Sequence, residues 1–252
     1  MTELRDDGFL NGRLRVLQPA RGYRSGADAV MLAAACAARP GQSVLELGCG
    51  AGVASLCLAV RVPGLVLTGL ELQDSYANLA RQNAARNGLS MTVLTGDLSS
   101  PPADLRAASF DHVISNPPYF IAGTQAPAAD RTIARQETLP LHGWIDAALR
   151  RLKPAGDLTL IQRADRLDQV IAALLGRAGA ITVLPIAARA GREAGRVLVT
   201  ARKGARAPLR LLAPFVMHDA PCHTRDGEDF SAAARAVLRD GADLTRLFAK
   251  VS

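Results

Sequence analysis

The chain has 252 residues, 49% of them hydrophobic and 21% charged, which excludes a disordered chain and allows a sizeable core. Its net charge is +7 and its isoelectric point about 9.8, a balance that favours a polyanionic partner such as nucleic acid. No apolar run approaches the roughly 20 residues that cross a bilayer, and no secretory leader is visible around Glu3, Asp6 and Asp7, so a cytoplasmic location away from membranes is expected.

In chain order, Gly12, Gly22 and Gly26 predict a hairpin or strand-loop segment over residues 12–26, with Ser25 or Asp28 capping an alanine-rich helix over 27–38. Pro40 and Gly41 end that helix. A short apolar strand over 43–47 then delivers the turn Gly48-Cys49-Gly50-Ala51-Gly52 into a helix over 53–60. A second strand over 65–70 runs to Glu71, an amphipathic helix covers 74–87, and a third strand over 91–95 runs to Gly96-Asp97. The fourth strand holds Val113 and Ile114 and ends in Asn116-Pro117-Pro118-Tyr119-Phe120. The prolines stop it because they lack the donor a sheet ladder needs, and Asn116 is held extended by the proline that follows. Residues 122–130 read as a loop over the site, and 141–152 as a helix. After a turn at Lys153-Pro154-Ala155-Gly156 come a strand over 157–161, a helix over 165–177, and an antiparallel strand pair over 181–185 and 196–201. A strand over 209–217 and a helix over 230–238, with Ser231 near its start, close the pattern. Cys36, Cys49, Cys57 and Cys222 lack metal-ligand spacing and are expected as reduced, mostly buried thiols with no metal; His112 is expected to pack rather than react.

Alternating strands and helices predict an α/β fold with a doubly wound, mostly parallel sheet. In such sheets ligands bind at the carboxyl ends of the strands, which is where Glu71, Asp97, Asn116 and the glycine turn all fall. The turn spells Gly-x-Gly-x-Gly, not the Gly-x-Gly-x-x-Gly that seats a pyrophosphate on a helix end. Glu46 beside it suits a ligand with an ammonium or sulfonium centre. Glu71, 23 residues after Gly48, lies where a strand-end carboxylate grips a ribose diol. Asn116 and the Pro117 carbonyl suit an exocyclic amine, with Tyr119 stacking on its base and Phe120 walling the pocket. Between Arg189 and Arg210, seven basic residues (Arg189, Arg192, Arg196, Arg202, Lys203, Arg206, Arg210) face one acid, Glu193, a local concentration of positive charge that points to RNA.

On these motifs, residues 20–202 resemble the class I S-adenosylmethionine-dependent methyltransferases. The resemblance implies a Rossmann-like, seven-stranded sheet with an antiparallel last strand. It divides the chain into an N-terminal hairpin and helix over 1–40, a cofactor-binding core over 41–203, and a C-terminal extension over 204–252 packed on the core. It implies S-adenosylmethionine held by Glu46, Gly48, Cys49, Gly50, Gly52, Glu71, Leu72, Asp97, Leu98 and Asn116, with Asn116, Pro117, Pro118 and Tyr119 as the amine-methylating motif. Gln18-Pro19, Gly22 to Ser25, the segment 28–33, Phe120 and Ala134-Arg135-Gln136-Glu137 are similar to bacterial enzymes that methylate adenine in the anticodon loop of a valine tRNA. That similarity makes Tyr23, Arg24, Phe120 and Arg135 substrate-side residues. Alternatives sharing the motif are methylation of a protein glutamine amide and of a guanine amine in ribosomal RNA; a non-catalytic RNA-binding module is a third.

Overall fold

The computed structural model describes residues 3–118, 139–219 and 229–249. Tyr119, Phe120, Arg135, the 122–130 loop, the 134–137 segment and Cys222 lie outside the described residues.

The chain opens with β1 (Leu4–Phe9) and β2 (Leu14–Pro19), an antiparallel hairpin pairing Phe9 with Leu14. Gly12, expected near the start of a hairpin, sits inside its turn with φ +79°, so the hairpin begins earlier than the glycine pattern suggests. Helix α1 (Ala27–Ala35) starts at Gly26 without a side-chain cap. Ser25 is not the cap; its backbone N–H donates to Gln18 Oε1 at 2.8 Å.

The main sheet contains β3 (Ser43–Leu47), β4 (Val66–Glu71), β5 (Thr92–Thr95), β6 (Phe110–Ser115), β7 (Leu152–Arg163), β8 (Ala178–Arg189) and β9 (Ala194–Lys203). Their spatial order is β8-β9-β7-β6-β3-β4-β5. All pairings are parallel except those of β9, which runs antiparallel to both neighbours. This is the expected seven-stranded core with a reversed strand between its neighbours. Two short strands extend it: β10 (Arg210–Leu211) and β11 (Phe215–His218) both pair with β8, giving nine strands among the described residues. The single strand expected over 209–217 is split because Pro214 cannot donate to the ladder. The turn expected at 153–156 is absorbed into β7 as a bulge, where the register jumps from Phe110↔Leu152 to His112↔Asp157 and Ala155 takes φ +59°.

Helices α2 (Val53–Arg61), α3 (Asp74–Arg86), α4 (Ala103–Ala107), α5 (Leu141–Arg151) and α6 (Leu167–Leu174) follow strands. Helices α7 (Ala232–Leu238) and α8 (Thr245–Phe248) end the described chain. The side-chain alternation of β3 separates the two faces of the sheet. Val44 joins the apolar cluster under α1 and α2, whereas Leu45 and Leu47 join the cluster under α5 and α6. Ser231, expected near the start of the last helix, is the N-cap of α7, its hydroxyl accepting from Ala234 N at 3.1 Å.

The hairpin is fastened to the core by two asparagines, Asn83 on α3 and Asn87 at its C-cap. Asn83 Oδ1 accepts from Leu17 N at 2.8 Å, and its Nδ2 donates to Leu17 O and to Ala51 O, both at 3.0 Å. One turn on, Asn87 Oδ1 accepts from Arg15 N at 3.0 Å and Nδ2 donates to Arg15 O at 2.7 Å. A helix rises about 6 Å over four residues and a strand about 6.8 Å over two. An i, i+4 pair of amides can therefore imitate a neighbouring strand, and β2 is satisfied as if it had one.

Candidate active site

The register of the central strands brings the sequence motifs to one edge. Leu47 is level with Leu70 on one side and Ser115 on the other, and Glu71 is level with Thr95. The residues that follow, Gly48, Gly96 and Asn116, emerge side by side at the carboxyl ends.

Gly48, Gly50 and Gly52 all have positive φ, at +68°, +54° and +87°. At Gly48 a Cβ would lie 2.8 Å from the Trp144 ring, and at Gly52 3.3 Å from Ala80 Cβ. The turn therefore needs glycine both for its conformation and for packing. Its N-terminal half is pinned by Leu70 O, which accepts from Gly48 N at 2.8 Å and Cys49 N at 3.0 Å.

Both acids next to the turn are buried. Glu71 Oε2 accepts from Gly50 N at 2.9 Å and Oε1 from Gln73 N at 3.0 Å. Glu46 lies beneath the turn, where Oε2 accepts from Ser55 N at 2.9 Å and Ser55 Oγ at 2.5 Å. Burial pushes the Glu46 carboxyl up to about 7, against the pull of the two Ser55 bonds. The charge expected to greet a cation is thus held just under the loop and near its titration point at neutral pH. Cys49 is buried, and its thiol is pushed up by burial and then by Glu46 and Glu71, so it packs rather than reacts.

Leu72, Asp97, Leu98, Leu139 and Trp144 line a slot of about 30 Å³ that reaches Gly48. Asp97 is exposed, and its Oδ1 accepts from Ser99 N and Oγ, both at 2.7 Å. Sequence reasoning passed over Trp144 and Leu139. The signal was present in part: Trp144 is the chain's sole tryptophan and lies early in the helix that follows the fourth-strand loop.

Asn116 and Pro118 are half-buried and Pro117 is buried. Asn116 Nδ2 donates to the Tyr23 hydroxyl at 3.4 Å, so the segment before α1 reaches the motif after β6. The Tyr23 ring also lies over the glycine turn, 3.8 Å from where a Gly50 Cβ would be. Arg24, by contrast, turns away to pair with Asp7 at 2.7 Å. Gln18 links the two, donating to Asp7 Oδ2 at 2.9 Å and Ser25 O at 3.2 Å.

The basic segment does not form one patch. Arg196 is level with Arg163 at the carboxyl end of β7, whereas Arg202 is level with Asp157, midway along it. Six strand residues separate them, about 20 Å. Acids distant in sequence also neutralise much of the charge. Arg189 pairs with Asp229 at 2.8 Å, Arg196 with Asp28 at 3.0 Å and Arg202 with Asp157 at 2.9 Å, while Arg210 donates to Phe248 O and Ala249 O. Only the Arg189–Arg196 end shares the edge with Asn116.

A mostly parallel sheet with a glycine turn, strand-end acids and an amine-type motif at one edge defines a class I methyltransferase, and residues 26–183 match the methyltransferase small domain family, to which the chain belongs. Such enzymes draw the methyl group from S-adenosylmethionine. The turn and slot fit that cofactor in kind: a glycine cradle beside two buried carboxylates, then an apolar slot. Among curated relatives, a tRNA1(Val) (adenine(37)-N6)-methyltransferase of Porphyromonas gingivalis is 37% identical over 65% of this chain and 68% of its own length. One from Dickeya chrysanthemi is 27% identical over 94% of both chains. A solved structure from Agrobacterium tumefaciens, described as a predicted O-methyltransferase, is 30% identical, covers 86% of this chain and 97% of its own, and superposes with a TM-score of 0.69. A Thermus thermophilus 16S rRNA N2 methyltransferase in complex with AdoMet and guanosine shares the fold at 20% identity and a TM-score of 0.55, covering 80% of this chain and 50% of its own.

Proposed function

We propose that this methyltransferase modifies the exocyclic N6 amine of adenine in the anticodon loop of a tRNA. The observation that carries the reading is the meeting of Asn116 with the glycine turn at one sheet edge, through Tyr23. The relatives' names point to adenine rather than to a protein glutamine or a guanine. Family membership sets aside the non-catalytic alternative.

In this reading Gly48, Cys49, Gly50 and Gly52 carry the methionine end of the cofactor, with Glu46 beneath. Glu71, whose carboxylate also accepts from Gly50 N and Gln73 N, receives the ribose hydroxyls. Leu72, Asp97 and Leu98 flank the adenine, joined by Trp144. The bound cofactor supplies an electrophilic methyl group; the chain supplies position and polarity. A purine amine is a poor nucleophile because its lone pair is delocalised into the ring. Asn116 Oδ1 and the Pro117 carbonyl, by accepting the two amine hydrogens, favour a pyramidal nitrogen with a localised lone pair. Tyr119 stacks on the base, which must leave its own stack to reach the site. Phe120 and Arg135 are substrate-side residues in the same reading.

Mass spectrometry of nucleosides from unmodified tRNA incubated with enzyme and labelled cofactor tests the substrate. Methyladenosine is the expected product, and its absence across total tRNA refutes the reading. Asn116→Ala should lower turnover by about 10²–10³-fold, the cost of losing one preorganised polar group at a reacting centre. Cofactor affinity, measured by calorimetry, should stay within about threefold, less than the roughly 0.7 kcal/mol that would signal a lost contact.

A further inference from the structure

Tyr23 is 50% exposed, a position that demands little of a side chain for stability, yet its segment is tied down from several sides. Tyr76 Oη donates to the Tyr23 carbonyl at 2.9 Å. Gln18, itself 2% exposed, accepts from Ser25 N and donates to Ser25 O. Asp7 holds both Gln18 and Arg24. These bonds fix where the Tyr23 ring can be, against the glycine turn and with its hydroxyl at Asn116 Nδ2.

A side-chain amide has two unlike ends, and only the oxygen can accept. If the Asn116 amide turned over, it would present N–H to an amine that is itself a donor, and the lone pair of the amine would not be drawn out. We propose that Tyr23 is a positioning residue that takes the Nδ2 end of Asn116, through its phenol oxygen, so that the Oδ1 end meets the substrate amine. The inference rests on the amine-methylation reading above. The phenol stays protonated at neutral pH, because desolvation and then the carboxylates of Glu46, Asp28 and Glu71 raise its pKa while Ser25 lowers it. Its oxygen, as that of a neutral phenol, accepts from Asn116 Nδ2.

Tyr23→Phe keeps the ring over Gly50 and removes only the oxygen. On wild-type substrate it should lower kcat about tenfold, the equivalent of one hydrogen bond, with the cofactor KM within about twofold. A pure packing role for Tyr23 predicts no change in kcat, and that result overturns the proposal. In an Asn116→Asp background either carboxylate oxygen can accept, so orientation no longer matters. There Tyr23→Phe should cost less than about twofold if it acts by orientation alone. An equal loss in both backgrounds places its action elsewhere and also overturns the proposal. A readout free of substrate separates this from failure of the amine-methylation reading. In the full chain, the Asn116 side-chain N–H pair, assigned by NMR through its disappearance in Asn116→Asp, should be protected from exchange in wild type and lose that protection in Tyr23→Phe. Equal protection in the two refutes the role of Tyr23. Absence of methylated adenosine with wild-type enzyme refutes the substrate reading, and the NMR comparison then decides the role of Tyr23.

Discussion

Replacing Glu46 with Gln tests the electrostatics beneath the glycine turn. Glu46 is 4% exposed, and burial raises its carboxyl from 4.5 to about 7. A raised acid binds its proton more tightly in the folded state. Its contribution to stability is therefore fully present below pH 4.5 and is lost as pH rises through 7. At 1.36 kcal/mol per pH unit, the loss is on the order of 3 kcal/mol by pH 8. Glutamine places a neutral oxygen where Ser55 N and Oγ donate, so the two bonds remain available and the titration disappears. Urea unfolding of both ligand-free proteins from pH 5 to 8.5 should show wild type losing stability relative to Glu46→Gln over that interval, by about 3 kcal/mol. Taking the difference cancels the titrating groups that do not interact with Glu46. The cationic cofactor should favour the ionised carboxylate, so its binding at pH 6.5 should release a fraction of a proton in wild type and less in Glu46→Gln, measured by calorimetry in buffers of different ionisation enthalpy. A stability difference that stays constant from pH 5 to 8.5 would refute the assignment of a neutral-range titration to Glu46.

Gly48→Ala forces a Cβ to within 2.8 Å of Trp144 at a φ of +68°; it should cost roughly 2–3 kcal/mol in unfolding and reduce cofactor affinity in calorimetry. Asn83→Ala strands Leu17 N, Leu17 O and Ala51 O, so a loss of about 2–4 kcal/mol is expected. Hydrogen exchange should then rise first in β1 and β2, ahead of the central strands. Asp111 is held well below the usual carboxylate range by the Ser43 N–H, then by Lys153 and the Ser43 hydroxyl. Its stabilisation is present above about pH 4 and fades as pH falls below it. Asp111→Asn should thus cost about 2 kcal/mol at pH 7 and progressively less in acid, read by denaturant titrations at both pH values.

How much of this was legible beforehand depends on the range of the interaction. The glycine turn, the strand ends at Glu71 and Asp97 and the proline stop after Asn116 are local signals, since backbone conformation and ladder donors are decided within a few residues. Those elements appear within a residue or two of their expected places. The turn expected at 153–156 became a bulge inside the Leu152–Arg163 strand because Leu152 pairs with Phe110 before it and Asp157 with His112 after it, so the strand continues on both sides. The basic segment misled for the same reason: Asp28, Asp157 and Asp229 are invisible to a count confined to residues 189–210.

The sequence by itself determined the order of strands and helices, the glycine turn and the acids and amide at the strand ends, because each is set by short-range backbone and hydrophobic patterning. Tertiary structure alone decided that Glu46 is buried on Ser55, that Asn83 and Asn87 act as a surrogate strand for the hairpin, and that Tyr23 meets Asn116. These depend on burial and on partners up to 93 residues apart along the chain, which only the folded arrangement of the sheet brings together.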